Sequence, residues 1–189
     1  MPVASSPSAA WPGRRLPERL AAAEREGGVF GRGREVEAIL AGLRAAEPGA
    51  PAVAVVQGEA GIGKTRLAAE AASQALAAGA GVLYGRSEQE SVVPYQPFAE
   101  ALGQLAADLP ADAAAGLGGE VAEAARLAPA LRERLHEAGI EPGAPPDDVG
   151  EQRYRLFGAV RALLSAAAGT APLLVVLDDL HWADASSLR

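Results

Sequence analysis

The eight residues Gly58-Glu59-Ala60-Gly61-Ile62-Gly63-Lys64-Thr65 constrain this 189-residue chain more than any other stretch. They match G-x-x-x-x-G-K-[ST] at every fixed position. Glycines let successive backbone N–H groups curve around phosphate oxygens without side-chain interference. A helix that begins at the lysine adds its dipole and its free N–H groups. Lys64 is then the mobile positive charge for β- and γ-phosphates, and the Thr65 hydroxyl is a Mg²⁺ ligand. Glycine is abundant here, at 22 residues, so context must separate a phosphate loop from a chance turn. Ala52-Val53-Ala54-Val55-Val56-Gln57, bounded by Pro51 and Gly58, reads as a strand buried on both faces. Leu67, Ala68, Ala71 and Leu76 predict a helix over 64–78. The motif therefore lies between strand and helix, as its chemistry requires. Gly31-Arg32-Gly33 and Gly116-Leu117-Gly118-Gly119 follow no strand and read as turns.

Composition sharpens this reading. The chain has 17 basic residues, and counting along the sequence gives 16 Arg and one Lys, Lys64. A compact ammonium is what the phosphate loop needs, and a planar guanidinium fits poorly there. The excess of Ala and Arg resembles a coding bias. The absence of Cys excludes a disulfide framework, a thiolate metal site and a cysteine nucleophile. Two histidines, His136 and His181, cannot alone make a histidine-rich metal site. A net charge of −7 argues against a segment that grips a nucleic-acid backbone, while leaving room for a local nucleotide pocket. No run of about 18 strongly apolar residues exists, so no membrane span is expected. No apolar segment follows Arg14 and Arg15, so neither a secretory nor a twin-arginine signal is read, and a cytoplasmic protein is expected.

Residues 1–27 carry Pro2, Pro7, Pro12 and Pro17 and read as a disordered leader. Val36, Ile39, Leu40 and Leu43 predict a helix over 33–46. Val82-Leu83-Tyr84 is a second short strand. Phe98, Ala101, Leu102 and Leu105 predict a helix over 96–107. Weaker helices are read over 117–127 and 129–138, with Pro129 in a first turn. Leu156, Val160, Leu163 and Leu164 stripe a helix over 150–167, and Leu173 to Leu177 forms a third buried strand. Alternating strands and helices argue for an α/β fold with a parallel sheet.

The third strand ends in Asp178-Asp179. Mg²⁺·ATP chemistry needs a carboxylate near the metal, usually at the end of a neighbouring strand. Asp178 is the candidate metal holder. Asp179 is the candidate general base that orients or activates water. The same pair could close a turn or cap the next helix, and the phosphate loop upstream favours the catalytic reading. Trp182 reads as a packing residue, His181 as a local hydrogen-bonding group, Asp184 as a helix cap and His136 as a solvated surface residue. Tyr95 reads equally as a hinge, a substrate contact or a core residue.

The phosphate loop, the acidic strand and its trailer Leu180-His181-Trp182-Ala183-Asp184 together resemble the STAND-type AAA-like P-loop ATPase module of large ATP-binding LuxR-type (MalT-like) transcription regulators. Phe30-Gly31-Arg32 with Glu35, Pro94-Tyr95-Gln96-Pro97-Phe98 and Ser186-Ser187-Leu188-Arg189 resemble further segments of that module. The similarity covers residues 28–189 and leaves out the leader 1–27. It implies a three-layer P-loop NTPase fold binding ATP and Mg²⁺. It assigns phosphate binding to Gly58, Glu59, Ala60, Gly61, Ile62, Gly63, Lys64 and Thr65, metal coordination to Thr65 and Asp178, and water activation to Asp179. It sets Val29, Phe30 and Gly31 near the base. Many relatives carry Glu where this chain has Asp179, and the shorter reach of Asp fits slow hydrolysis in a switch. The implied role is a nucleotide-dependent regulatory switch. Nucleotide-dependent self-association is expected, with no membrane partner, and DNA contact would come through another domain. A motor, loader or small-molecule kinase, and an inactive remnant, are the competing readings.

In the fold that the chain resembles, a further strand inserts between the acidic strand and the phosphate-loop strand. That strand, a last strand, a lid or winged-helix domain and any output domain would lie beyond Arg189. The fold is therefore expected to be incomplete here. A sheet with a vacant centre exposes backbone donors and acceptors. The chain alone is expected to be unstable, or one piece of a longer product, and cooperative thermal unfolding would refute that.

Overall fold

The computed structural model describes residues 15–27, 30–47, 49–89, 94–169 and 171–183. Its elements in chain order are α1 (Glu18–Arg25), α2 (Gly33–Ala45), α3 (Lys64–Ala77), β1 (Gly81–Arg86), α4 (Gln96–Ala107) and α5 (Ala111–Gly116). A 3₁₀ segment (Gly119–Arg126), α6 (Pro129–Glu137), α7 (Val149–Ala168), β2 (Leu173–Asp178) and a short 3₁₀ turn (Leu180–Trp182) follow. β1 and β2 pair in parallel, from Gly81 opposite Leu173 to Arg86 opposite Asp178. Parallel neighbours need a long crossover. Here the crossover runs from α4 to α7.

Alternation along the two strands sorts the helices into layers. Val82, Tyr84, Leu174 and Val176 pack with Leu20, Ala23, Ala69 and Ala72 of α1 and α3. Leu83, Leu173 and Val175 face the other way, onto Leu102 and Leu105 of α4, Val121 of the 3₁₀ segment, Leu131 of α6 and Leu163 of α7. The result is helix, sheet and helix, the three-layer α/β arrangement of a P-loop NTPase. α2 lies beside α3 through Val36, Leu40, Leu67 and Ala71.

Local chemistry sets the element ends. Gly79, at φ +90, stops α3 in a conformation that an L side chain resists. The Asp148 side chain caps α7 by accepting from the Glu151 N–H at 2.7 Å. Pro129 opens α6 where its missing N–H costs nothing. The helices expected over 33–46, 64–78, 96–107, 129–138 and 150–167 are all present, with ends shifted by at most a residue.

Three expectations are corrected. The stretch 1–27 is not wholly without structure, because Glu18–Arg25 is helical and Leu20 is 0% exposed against the sheet. Leu16, Leu20 and Ala23 form one apolar stripe, and that stripe finds a partner in α3. The helix read over 117–127 is a 3₁₀ segment, Gly119–Arg126, with Leu117 and Gly118 extended ahead of it and a separate short helix, α5, before them. Residues 52–57 are not a buried strand. They have no pairing partner among the described residues, and Val53 is 83% exposed. A strand exists only through a neighbour's ladder, and none of the described residues supplies one.

The outer edge of β1 is covered by side chains rather than by a strand. Gln104 accepts from the Tyr84 N–H at 3.0 Å and donates to the Tyr84 carbonyl at 2.7 Å. Glu100 accepts from the Arg86 N–H at 2.9 Å, and Gln96 from the Glu88 N–H at 3.2 Å. Residues four apart on a helix advance about 6 Å, close to the roughly 6.7 Å of residues two apart on a strand. Gln96, Glu100 and Gln104 therefore keep pace with Glu88, Arg86 and Tyr84. α4 blunts this edge as natural sheets do. The approach is tight: a Cβ on Gly85 would sit 1.7 Å from the Pro97 carbonyl oxygen. Among the described residues no helix is long and apolar enough to cross a membrane.

Candidate nucleotide site

The loop Gly58–Thr65 leads into α3 and turns on two glycines, Gly61 at φ +78 and Gly63 at φ +96. Both values lie in the left-handed region that costs an L side chain roughly 1–2 kcal/mol. Gly63 immediately precedes α3, and its carbonyl accepts the Leu67 N–H at 2.9 Å. The first N–H groups of α3 are thus free to face an anion. Lys64 folds back over the loop, with Nζ donating to the Gly58 and Glu59 carbonyls at 2.9 Å each. These neutral acceptors hold the ammonium at the loop, where phosphate oxygens would be stronger acceptors. A cleft of about 460 Å³ opens beside it, lined by Phe30, Arg32, Gln57, Gly63, Lys64 and Arg66 among others. Phe30 is 94% exposed and presents a free ring at the cleft. Gly31 adjoins it at φ +73, and Val29 lies outside the described residues.

β2 delivers the acidic pair to the same place. Thr65 Oγ1 donates to Asp178 Oδ2 at 2.8 Å across 113 positions of sequence. The Asp179 N–H donates to Asp178 Oδ1 at 2.9 Å. Asp179 itself is left-handed, at φ +53, an uncommon conformation that Asp tolerates better than most residues. Its Oδ2 accepts from Arg86 Nε at 2.7 Å. That contact is the first cause raising the Arg86 guanidinium pKa above its ordinary value. His181 Nδ1 stands 4.0 Å from Asp179 Oδ1, beyond hydrogen-bond length.

The family model described as AAA ATPase domain matches residues 28–189. The chain belongs to the AAA ATPase domain family. No curated protein and no solved structure matches it. Membership makes this a nucleotide-binding ATPase module, since AAA ATPase domains bind ATP, usually with Mg²⁺. The α/β architecture and the strand-end acids agree with that family.

The donor set in this AAA ATPase domain suits Mg²⁺. Thr65 Oγ1 and Asp178 Oδ2 are hard oxygen donors beside a phosphate loop. Mg²⁺ prefers one or two protein oxygens with phosphate and water completing its shell. Among the described residues no group of three or more His, Asp or Glu could cage a metal unaided. A Mg²⁺ held by Thr65 and Asp178 would supply charge neutralisation at the phosphates.

Two side chains at this site escape a motif-based reading. Tyr84 Oη donates to Asp178 Oδ2 at 3.2 Å, and Arg86 holds Asp179. They stand two apart on β1, so both face the α3 layer. Burial first, and then the Asp178 charge, push the Tyr84 phenol pKa well above its ordinary value, so it remains a donor. The available signal was the Tyr-x-Arg alternation in a strand beside β2. Arg66, two residues after Lys64, is tied instead to the α1 side, 3.2 Å from the Glu26 carbonyl. The remaining candidates lie apart from the chemistry. Trp182 is half-exposed and packs on His181, with ring centroids 4.8 Å apart. His136 pairs with Glu141 on the surface. Tyr95 meets Phe157 edge-on at 5.8 Å. Asp184 lies outside the described residues.

Proposed function

We propose that the chain is the ATP-binding module of a nucleotide-dependent signalling switch, the ATPase part of a STAND-type, LuxR-like transcription regulator. The observation that carries this reading is the meeting of the phosphate-loop threonine, next to Lys64, with the strand-end acid: Thr65 Oγ1 donates to Asp178 Oδ2 at 2.8 Å. Gly58 to Thr65 bind the phosphates through backbone N–H groups and the Lys64 ammonium. Thr65 and Asp178 hold Mg²⁺. Phe30, which lines the cleft, and the adjoining Gly31 are assigned to the base, as is Val29 by the resemblance. Asp179 positions or activates the attacking water.

Slow hydrolysis fits a switch, and one contact supports it. Asp179 Oδ2 is engaged by Arg86 Nε, so that oxygen must be released before it takes a proton from water. The two nucleotide states then differ in what the site holds, and other domains read the difference. The phosphate loop favours a nucleotide over a nucleic-acid backbone as the direct partner, in keeping with the net charge of −7. Self-association that follows the bound nucleotide, and a cytoplasmic location, belong to the same proposal.

Steady-state Mg·ATP turnover tests the switch. Rates below about 1 s⁻¹ agree with it, and rates well above that contradict it. The reading frame past Arg189 tests the regulator assignment. A helix-turn-helix there agrees, and a motor or kinase output contradicts. The exposed, unpaired 52–57 segment favours a second reading, in which this chain has no activity by itself. Failure of the full chain to bind nucleotide would favour that reading.

A further inference from the structure

We infer that Tyr84 is a positioning residue for the metal site: its phenol hydroxyl holds the Asp178 carboxylate in register with Thr65, and so sets the affinity for Mg²⁺. The inference rests on the Mg·ATP reading above. Asp178 Oδ2 receives two hydroxyl donors, Thr65 Oγ1 at 2.8 Å and Tyr84 Oη at 3.2 Å. Oδ1 receives the Asp179 N–H at 2.9 Å. Of the three, the Asp179 amide is only one residue away and follows wherever the strand end goes. Thr65 belongs to the phosphate-loop helix and is itself a metal-ligand candidate. Tyr84 alone anchors the carboxylate from β1, the strand bonded to β2 along its full length.

The anchor is itself rigid. Tyr84 is 4% exposed and packs with Leu20, Ala69, Ala72 and Val82. Gln104 grips its backbone N–H and carbonyl from the strand edge. A hydroxyl fixed on both the ring and the backbone side removes rotamer freedom from its partner. A metal then finds the carboxylate already aimed, which is how second partners of ligands raise affinity.

Tyr84→Phe keeps the packed ring and deletes only the hydroxyl. Binding of a fluorescent ATP analogue to the full chain is measured in EDTA and across a MgCl₂ titration, for wild type, Tyr84→Phe, Asp178→Asn and the double variant. The expected result is a Mg²⁺ midpoint raised about fivefold in Tyr84→Phe, the net scale of one lost hydrogen bond. Affinity in EDTA should stay within about twofold of wild type, which excludes a general packing defect. In the Asp178→Asn background, loss of the hydroxyl should move the midpoint no further. A wild-type midpoint in Tyr84→Phe overturns the inference, as does an equal loss of affinity with and without Mg²⁺, or a full additional shift on top of Asp178→Asn. Lys64→Ala separates this from failure of the site reading. Equal binding by wild type and Lys64→Ala overturns that reading and the inference with it.

Discussion

Gly63 shows how one residue serves both fold and site. Its φ of +96 turns the loop into α3, and the N–H groups beyond it face the cleft. Gly63→Ala should cost roughly 1–2 kcal/mol in stability through left-handed strain. It should weaken ATP binding at least about tenfold, because the loop must relax away from the phosphates. A titration alongside a thermal melt checks both, and unchanged affinity would contradict the loop assignment. This residue was legible in the sequence, because a glycine is written wherever the backbone demands one. Lys64 was legible for a related reason, as the single lysine among sixteen arginines. Tyr84 and Arg86 were not. Their partners Asp178 and Asp179 lie 94 and 93 positions away, and only the parallel register of β1 on β2 joins them. No local pattern encodes that register.

At the scale of elements, α1 is the informative case. It lies ahead of the matched span 28–189 and yet closes the layer over Tyr84. Glu24 accepts from Ser73 Oγ at 2.6 Å, and Glu26 holds Arg66, so α1 is fastened to the phosphate-loop helix at two points. Leu20→Ala should destabilise the chain by about 2–5 kcal/mol, the usual range for a fully buried leucine. A chemical melt reads this directly, and an unchanged midpoint would show that α1 is not docked in solution. The helix was hidden in the sequence because its stripe is only two turns long and follows a proline-rich stretch. Longer helices such as α4 and α7 were legible because four apolar residues recur at helical spacing in each. The stretch 52–57 shows the opposite failure. Its β-branched run correctly signals extended backbone, but pairing depends on a neighbour that no local residue specifies.

For the whole molecule, the two edges of the sheet differ in kind. The β1 edge is closed by Gln96, Glu100 and Gln104, whereas the other edge of β2 meets no strand among the described residues. Hydrogen exchange should follow this asymmetry. The amides of Tyr84 and Arg86 should be protected, and those of 52–57 should exchange quickly. Strong protection across 52–57 in the full chain would contradict the unpaired conformation. The α/β class and helix order were legible because short continuous apolar runs alternate with helices striped at a period of 3.6. The layer assignment was not, because it depends on which alternate strand positions each helix covers.

The central claim is that Gly58–Thr65 and Asp178 form one Mg·ATP site, and nucleotide binding by wild type against Lys64→Ala tests it most directly. The Lys64 ammonium is held at the loop by bonds of 2.9 Å to two carbonyls that phosphate would replace. Fluorescent ATP titrated into the full chain with Mg²⁺ should bind wild type. Binding should weaken by at least about tenfold in Lys64→Ala, the scale of one lost charge-assisted contact. Equal binding by the two proteins would contradict the account.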